Sequence, residues 1–123
     1  MTILCVDRSL LGLMDLKHKV KAVRPNAVVY GCREPDKALS IAKSEGCDVL
    51  LTEIDLGGSQ REGLDFALRM QAIHPAVNII FVTTFEESDF ARDVIQMRVS
   101  GFVRKPFKQQ LEEEFSKLRY AVK

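Results

Sequence analysis

Short apolar runs alternate along the chain with longer stretches whose apolar residues recur every three or four positions. The short runs, rich in branched residues and bounded by turn formers, predict strands at Ile3–Val6, Ala27–Tyr30, Val49–Thr52, Val77–Val82 and Gly101–Val103. The longer stretches predict amphipathic helices. The first carries Leu10, Leu13, Met14, Leu16, Val20 and Val23 with lysines between them, and Pro25-Asn26 breaks it. The second opens at Glu34-Pro35, presents Ala38, Ile41 and Ala42, and ends at Gly46. The third presents Leu64, Ala67, Leu68, Met70 and Ile73 and closes at His74-Pro75. In the fourth, Glu86, Glu87 and Asp89 suit the positive end of a helix whose stripe is Phe90, Val94 and Met97. The last shows Leu111, Phe115, Leu118 and Val122.

Strands alternating with helices imply βαβ units with right-handed crossovers and a parallel sheet covered on both faces. With 123 residues and 46% hydrophobic content, the chain is one α/β domain over residues 1–123. Its expected form is an open, doubly wound, flavodoxin-like (βα)5 sheet of strand order 2-1-3-4-5; a TIM barrel is about twice as long.

Charge and cysteine content narrow the partners. Lys+Arg 18 against Asp+Glu 17 gives a net charge of +1, which draws the domain toward neither nucleic acid nor a membrane. No apolar run approaches the roughly 20 residues of a membrane span, and Met1–Val6 runs straight into Asp7 without a secretory pattern. Cys5, Cys32 and Cys47 are scattered in or beside apolar strands and read as reduced core residues of a cytoplasmic protein, with a reactive thiol as the alternative. His18, among lysines, reads as solvated, and His74 as a loop residue. No pair of histidines or cysteines has metal-ligand spacing, and no glycine-rich nucleotide motif is present.

Open α/β sheets bind ligands outside the carboxyl ends of their strands. The residues leaving those ends are Asp7 and Arg8 after the first strand, Glu53 and Asp55 after the third, Thr83 and Thr84 after the fourth, and Arg104 and Lys105 after the fifth. With the strand order above, Asp7, Glu53, Thr83 and Lys105 line one edge.

Four fragments in order, Ile3–Asp7, Asp48–Ile54, Ile79–Thr84 and Gly101–Phe107, make the chain resemble a CheY-like response-regulator receiver domain. The run Glu53-Ile54-Asp55-Leu56 and the stretch from Phe81 to Lys105 are most similar to regulators whose output half is a LytTR-type DNA-binding domain. The resemblance implies two adjacent acids binding a divalent metal and an aspartate accepting phosphate from a histidine kinase. It also implies a Ser or Thr and a Lys that contact the phosphoryl oxygens, and a switch aromatic. Asp7 matches the first acid, Thr83 and Lys105 the phosphoryl contacts, and Phe102 the aromatic; Pro106 follows Lys105 as the pattern expects. Arg8 replaces the second acid, and Glu53 replaces the phosphoacceptor.

Three carboxylates and a lysine in the family pattern leave the edge two charges negative, the charge a magnesium ion neutralises. Here Asp7 and Glu53 stand against Arg8 and Lys105, a net of zero. Magnesium binding is therefore expected to be weak or absent, with Arg8 pairing Glu53 or Asp7; the alternative for Arg8 is a solvated side chain that snorkels outward. Glu53 extends its carboxylate by about 1.5 Å relative to an aspartate. It is expected to act as a fixed partial mimic of the phosphoryl group, contacting Thr83 and Lys105. Asp55 reads as a loop aspartate bonding its own backbone before Gly57-Gly58, with a displaced acceptor as the alternative.

These residues predict a non-enzymatic signalling module, independent of phosphorylation, that regulates a protein partner or an attached output domain. A homodimer through the fourth helix, fifth strand and fifth helix is a further expectation from the resemblance; Phe102, Arg104, Arg92 and Arg98 lie on that face. The competing readings are a conventional receiver phosphorylated on Asp55 and a small metal-dependent phosphatase using Asp7 and Glu53. The chain ends at Lys123, just past the last helix, which leaves an output domain beyond it open.

Overall fold

The computed structural model describes residues 1–105 and 110–118. Its strands are β1 (Thr2–Val6), β2 (Val28–Cys32), β3 (Val49–Thr52), β4 (Asn78–Thr83) and β5 (Gly101–Arg104). Its helices are α1 (Leu10–Val23), α2 (Pro35–Glu45), α3 (Gln60–Ile73), α4 (Ala91–Gln96) and α5 (Gln110–Ser116). All strand pairings are parallel, as the alternation implies, and the order is β2-β1-β3-β4-β5, the flavodoxin-like order assumed for the sheet.

The period-two alternation of the strands sorts the core into two layers. Leu4, Val6, Leu50, Ile79 and Phe81 join α2 and α3 through Ala38, Leu39, Ala42, Leu64, Ala67 and Met70. Ile3, Cys5, Val49, Leu51, Ile80 and Val82 join α1 and α5 through Leu13, Leu16, Val20, Leu111 and Phe115. β1 and β3 are covered on both faces and nearly every residue in them is buried, which is why they read as continuous apolar runs.

Local chemistry sets the helix ends. Ser9 caps α1, its Oγ accepting from the Gly12 N–H at 3.1 Å. Pro35 occupies the first turn of α2, and Gly46 ends it with φ of 83°.

Three local expectations change. Leu10 and Met14 are exposed, so the buried stripe of α1 is Leu13, Leu16 and Val20, and Leu68, expected in the stripe of α3, is likewise exposed. The segment expected as one fourth helix begins as a 3-10 turn over Glu87–Phe90 before α4; Phe90 and Met97 are buried. His74 caps the end of α3, and its Nε2 lies 2.7 Å from the Ala42 carbonyl, bridging to α2. Pro106, Phe107 and Val122 lie outside the described residues.

All three cysteines are buried and free. Burial pushes the Cys5 and Cys47 thiols up from 9.0 to about 12, which removes them as nucleophiles at neutral pH. No described helix is long and apolar enough to cross a membrane.

Candidate functional site

The carboxyl ends of β1, β3, β4 and β5 bring Asp7, Glu53, Thr83 and Lys105 to one edge. Lys105 is the hub. Its Nζ donates to Asp7 Oδ2 at 2.6 Å and to Glu53 Oε1 at 3.3 Å. Its backbone N–H donates to the Thr83 carbonyl at 2.7 Å, extending the β4–β5 ladder to the base of the side chain. The Asp7 side chain is 4% exposed, Glu53 13% and Lys105 24%, so these charges sit largely out of water. Burial alone pulls the Lys105 pKa down. The hydrogen bond to Asp7 and the charges of Glu53 and Asp7 outweigh it together, and the net direction is upward.

Every oxygen of the two acids has a partner. Asp7 Oδ1 accepts from the Ser9 N–H at 2.9 Å and Oδ2 takes the lysine. Glu53 Oε2 accepts from the N–H of Ile54 at 2.7 Å and Oε1 takes the lysine. The extra methylene lets the Glu53 side chain curl onto its own backbone. The predicted contact between Glu53 and Thr83 is therefore not made. Thr83 is fully buried, and its Oγ1 accepts from the Phe85 N–H at 3.4 Å. Phe102 packs from β5 against the α2/α3 core layer, its ring edge-on to Phe81 at 6.2 Å.

Arg8 is not part of this cluster. Contrary to expectation it pairs with neither Glu53 nor Asp7; its Nη2 lies 3.8 Å from Asp55 Oδ2. The pair is open to water, with Arg8 55% and Asp55 36% exposed. Both inner carboxylates are already engaged by Lys105 and backbone N–H groups, while the Arg8 guanidinium stays in water. The net of zero therefore does not describe the inner edge. Asp7 and Glu53 face only Lys105, leaving one uncompensated negative charge. Asp55 Oδ1 also accepts from the Gly57 N–H at 3.1 Å, the backbone-bonded loop aspartate read from the sequence. Among the described residues, no three His, Cys, Asp or Glu side chains are grouped to hold a metal ion.

Two glycines that sequence reading passed over shape the site. A Cβ at Gly12 would come within 2.7 Å of Asp7 Oδ2, so this position on α1 makes room for the carboxylate. A Cβ at Gly63 would overlap the Ile54 backbone, to whose carbonyl the Gly63 N–H donates at 2.8 Å. That close approach clamps α3 to the segment carrying Glu53. Neither need is visible in a single sequence, because glycine in a helical pattern has no signature of what it admits.

The profile of the response regulator receiver domain matches residues 3–115. The chain belongs to the response-regulator receiver family. A curated relative, the cyclic di-GMP phosphodiesterase response regulator RpfG of Xanthomonas campestris pv. campestris, is 26% identical over 110 residues. That match covers 88% of this chain and 29% of the relative, so the chain spans less than a third of the relative's length. Among solved structures, a response regulator from Thermotoga maritima has a TM-score of 0.80 at 18% identity, covering 94% of each chain. The Vibrio cholerae chemotaxis protein CheY4 has a TM-score of 0.79 at 21% identity, covering 95% of this chain and 98% of that one. As a receiver of two-component signalling, the domain is a signalling module.

Proposed function

We propose that this receiver signals without accepting a phosphoryl group. The observation that carries the reading is the closed triad: Lys105 holds both Asp7 and Glu53, and no oxygen of either acid is left without a partner. In-line phosphoryl transfer needs a positioned nucleophile and neutralisation of developing charge. Glu53 turns its carboxylate back onto Ile54, and the position that would supply a second acid carries Arg8, drawn outward to Asp55. The divalent ion of the family is disfavoured by this donor set, since the Lys105 ammonium already bridges the two acids and, among the described residues, no third ligand is grouped with them. Asp55 is engaged by Arg8 and by its own loop, which disfavours it as a substitute acceptor. The same bridging of the two acids by Lys105 disfavours a phosphatase.

On this reading Glu53 is a resident ligand for Lys105 but not for Thr83, so it engages half of the phosphoryl-contact pair. Phe102 and Thr83 remain as switch elements whose state a partner sets. The face formed by α4, β5 and α5 is the proposed contact for an output domain or a second copy. Ile95 stands 75% exposed there, beside the exposed Arg92 and Arg98.

Incubation with acetyl phosphate and magnesium, read by intact mass, is expected to leave the wild-type chain unchanged. A labile gain of one phosphoryl mass, mapped to Glu53 or Asp55, overturns the proposal. The double variant Glu53→Asp with Arg8→Asp is expected to gain both magnesium binding and phosphorylation, as the remaining Asp7, Thr83 and Lys105 would then suffice.

A further inference from the structure

On the far side of β1 from the acid triad lies an open cleft of about 760 Å³. The loop after β1, the end of β2, the start of α2 and the loop after β3 enclose it. This is the same carboxyl edge of the sheet, displaced by one strand. Its size is that of a small-molecule site.

The walls divide by chemistry. Leu13, Cys32, Ile41 and Leu56 make an apolar floor, while Arg8, Arg33 and Lys37 bring three cations to the rim against a single acid, Glu34. Neither Arg33 nor Lys37 has a carboxylate within ion-pair distance among the described residues. Among the described residues, the one ion pair of the Arg8 side chain is the long, solvent-open contact with Asp55. Arg33 is nevertheless placed: its Nε donates to the Arg8 carbonyl at 2.9 Å, tying the β1 and β2 loops together. A guanidinium held by one nitrogen keeps its outer edge for a bidentate acceptor. Gly31 also lines the cleft, and a Cβ there would come within 2.5 Å of the Lys17 side chain and 3.1 Å of Leu13, so β2 lies close against α1 at this end.

We propose that this cleft binds an organic phosphate, an anionic head held by Arg33, Lys37 and Arg8 with an apolar or aromatic body on the floor below. The head competes with Asp55 for Arg8, so occupancy frees the loop after β3. Nothing in the site draws on Glu53 or Lys105, and binding is independent of whether the acid edge accepts a phosphoryl group.

Titration of the full chain with phenyl phosphate and adenosine 5′-monophosphate, followed by amide NMR shifts, tests the site. Inorganic phosphate and adenosine are the partial probes. At least one of the two organic phosphates is expected to saturate, with a dissociation constant below about 1 mM and shifts at Arg8, Arg33 and Gly57. Inorganic phosphate and adenosine are each expected to bind about tenfold more weakly or worse. R33A and K37A are each expected to weaken the organic phosphate about tenfold, whereas K21A, the same charge change on the far end of α1, leaves it within about twofold. Absence of saturable binding by both organic phosphates overturns the proposal. So does inorganic phosphate binding as tightly as they do, or K21A weakening binding as much as R33A.

Discussion

Two ion-pair systems lie within one loop of each other and behave as opposites. The inner one, Asp7–Lys105–Glu53, is largely shielded from water, short and completed by backbone N–H groups. The outer one, Arg8–Asp55, is long and half in solvent. Charge-assisted hydrogen bonds in the first setting contribute roughly 1.5–3 kcal/mol each, while exposed pairs contribute about 0–1. The same residue chemistry therefore builds a fixed element on one side of β1 and an adjustable one on the other. Burial, more than the identity of the charges, separates the two roles.

The largest break strikes both systems at once. Gly63→Ala forces α3 away from Ile54 and disturbs the segment carrying both Glu53 and Asp55. A loss of about 3 kcal/mol or more in urea unfolding is expected. A loss under about 1 kcal/mol would show that α3 moves aside freely.

Next comes Lys105→Met, which leaves two shielded carboxylates facing each other without a cation. Its expected cost is about 2–4 kcal/mol at neutral pH, partly recovered on acidification as one acid takes a proton. A pH-independent loss would mean that the lysine contributes only packing.

Alkaline titration probes the buried thiols. The Cys5 and Cys47 thiols keep their protons in the fold to about 12, while the unfolded chain loses them from 9.0. The unfolded state then binds fewer protons, so stability falls with rising pH above 9, by about 1.4 kcal/mol per pH unit for each thiol. Lys105 adds to the same limb. Its raised pKa supplies stability that is fully present below 10.5 and lost as pH climbs through the higher folded value. A thermal midpoint constant between pH 8 and 11 would contradict this.

The smallest effect is expected from Arg8→Ala or Asp55→Asn, each within about 0.5 kcal/mol of wild type. A double-mutant cycle coupling the pair by more than about 1 kcal/mol would move it into the class of the inner triad.

The strands were legible because β1, β3 and β4 are covered on both faces and must be continuously apolar. The helices were legible because each presents one stripe to the sheet. Strand ends shifted by one or two residues, as at β2, where the ladder runs to Cys32 beyond the apolar run ending at Tyr30. α1 was read too generously, since Leu10 and Met14 extend its apolar pattern into solvent. At the site, the convergence of Asp7, Glu53, Thr83 and Lys105 followed from strand order. Their bonding did not, because Arg8 and Glu53 each had several acceptors or donors within reach.

Sequence alone determined the alternating α/β elements, the residues leaving each strand end and the two departures from the family pattern, since all three depend on residue type and spacing along the chain; the strand order that gathers the acids at one edge is tertiary. Tertiary structure alone decided that Lys105 takes both acids, that Glu53 closes on Ile54, that Arg8 leaves for Asp55, and that Gly12 and Gly63 must be small. Those choices depend on distances between segments far apart in the chain and on which groups remain in water, and neither is written in local periodicity.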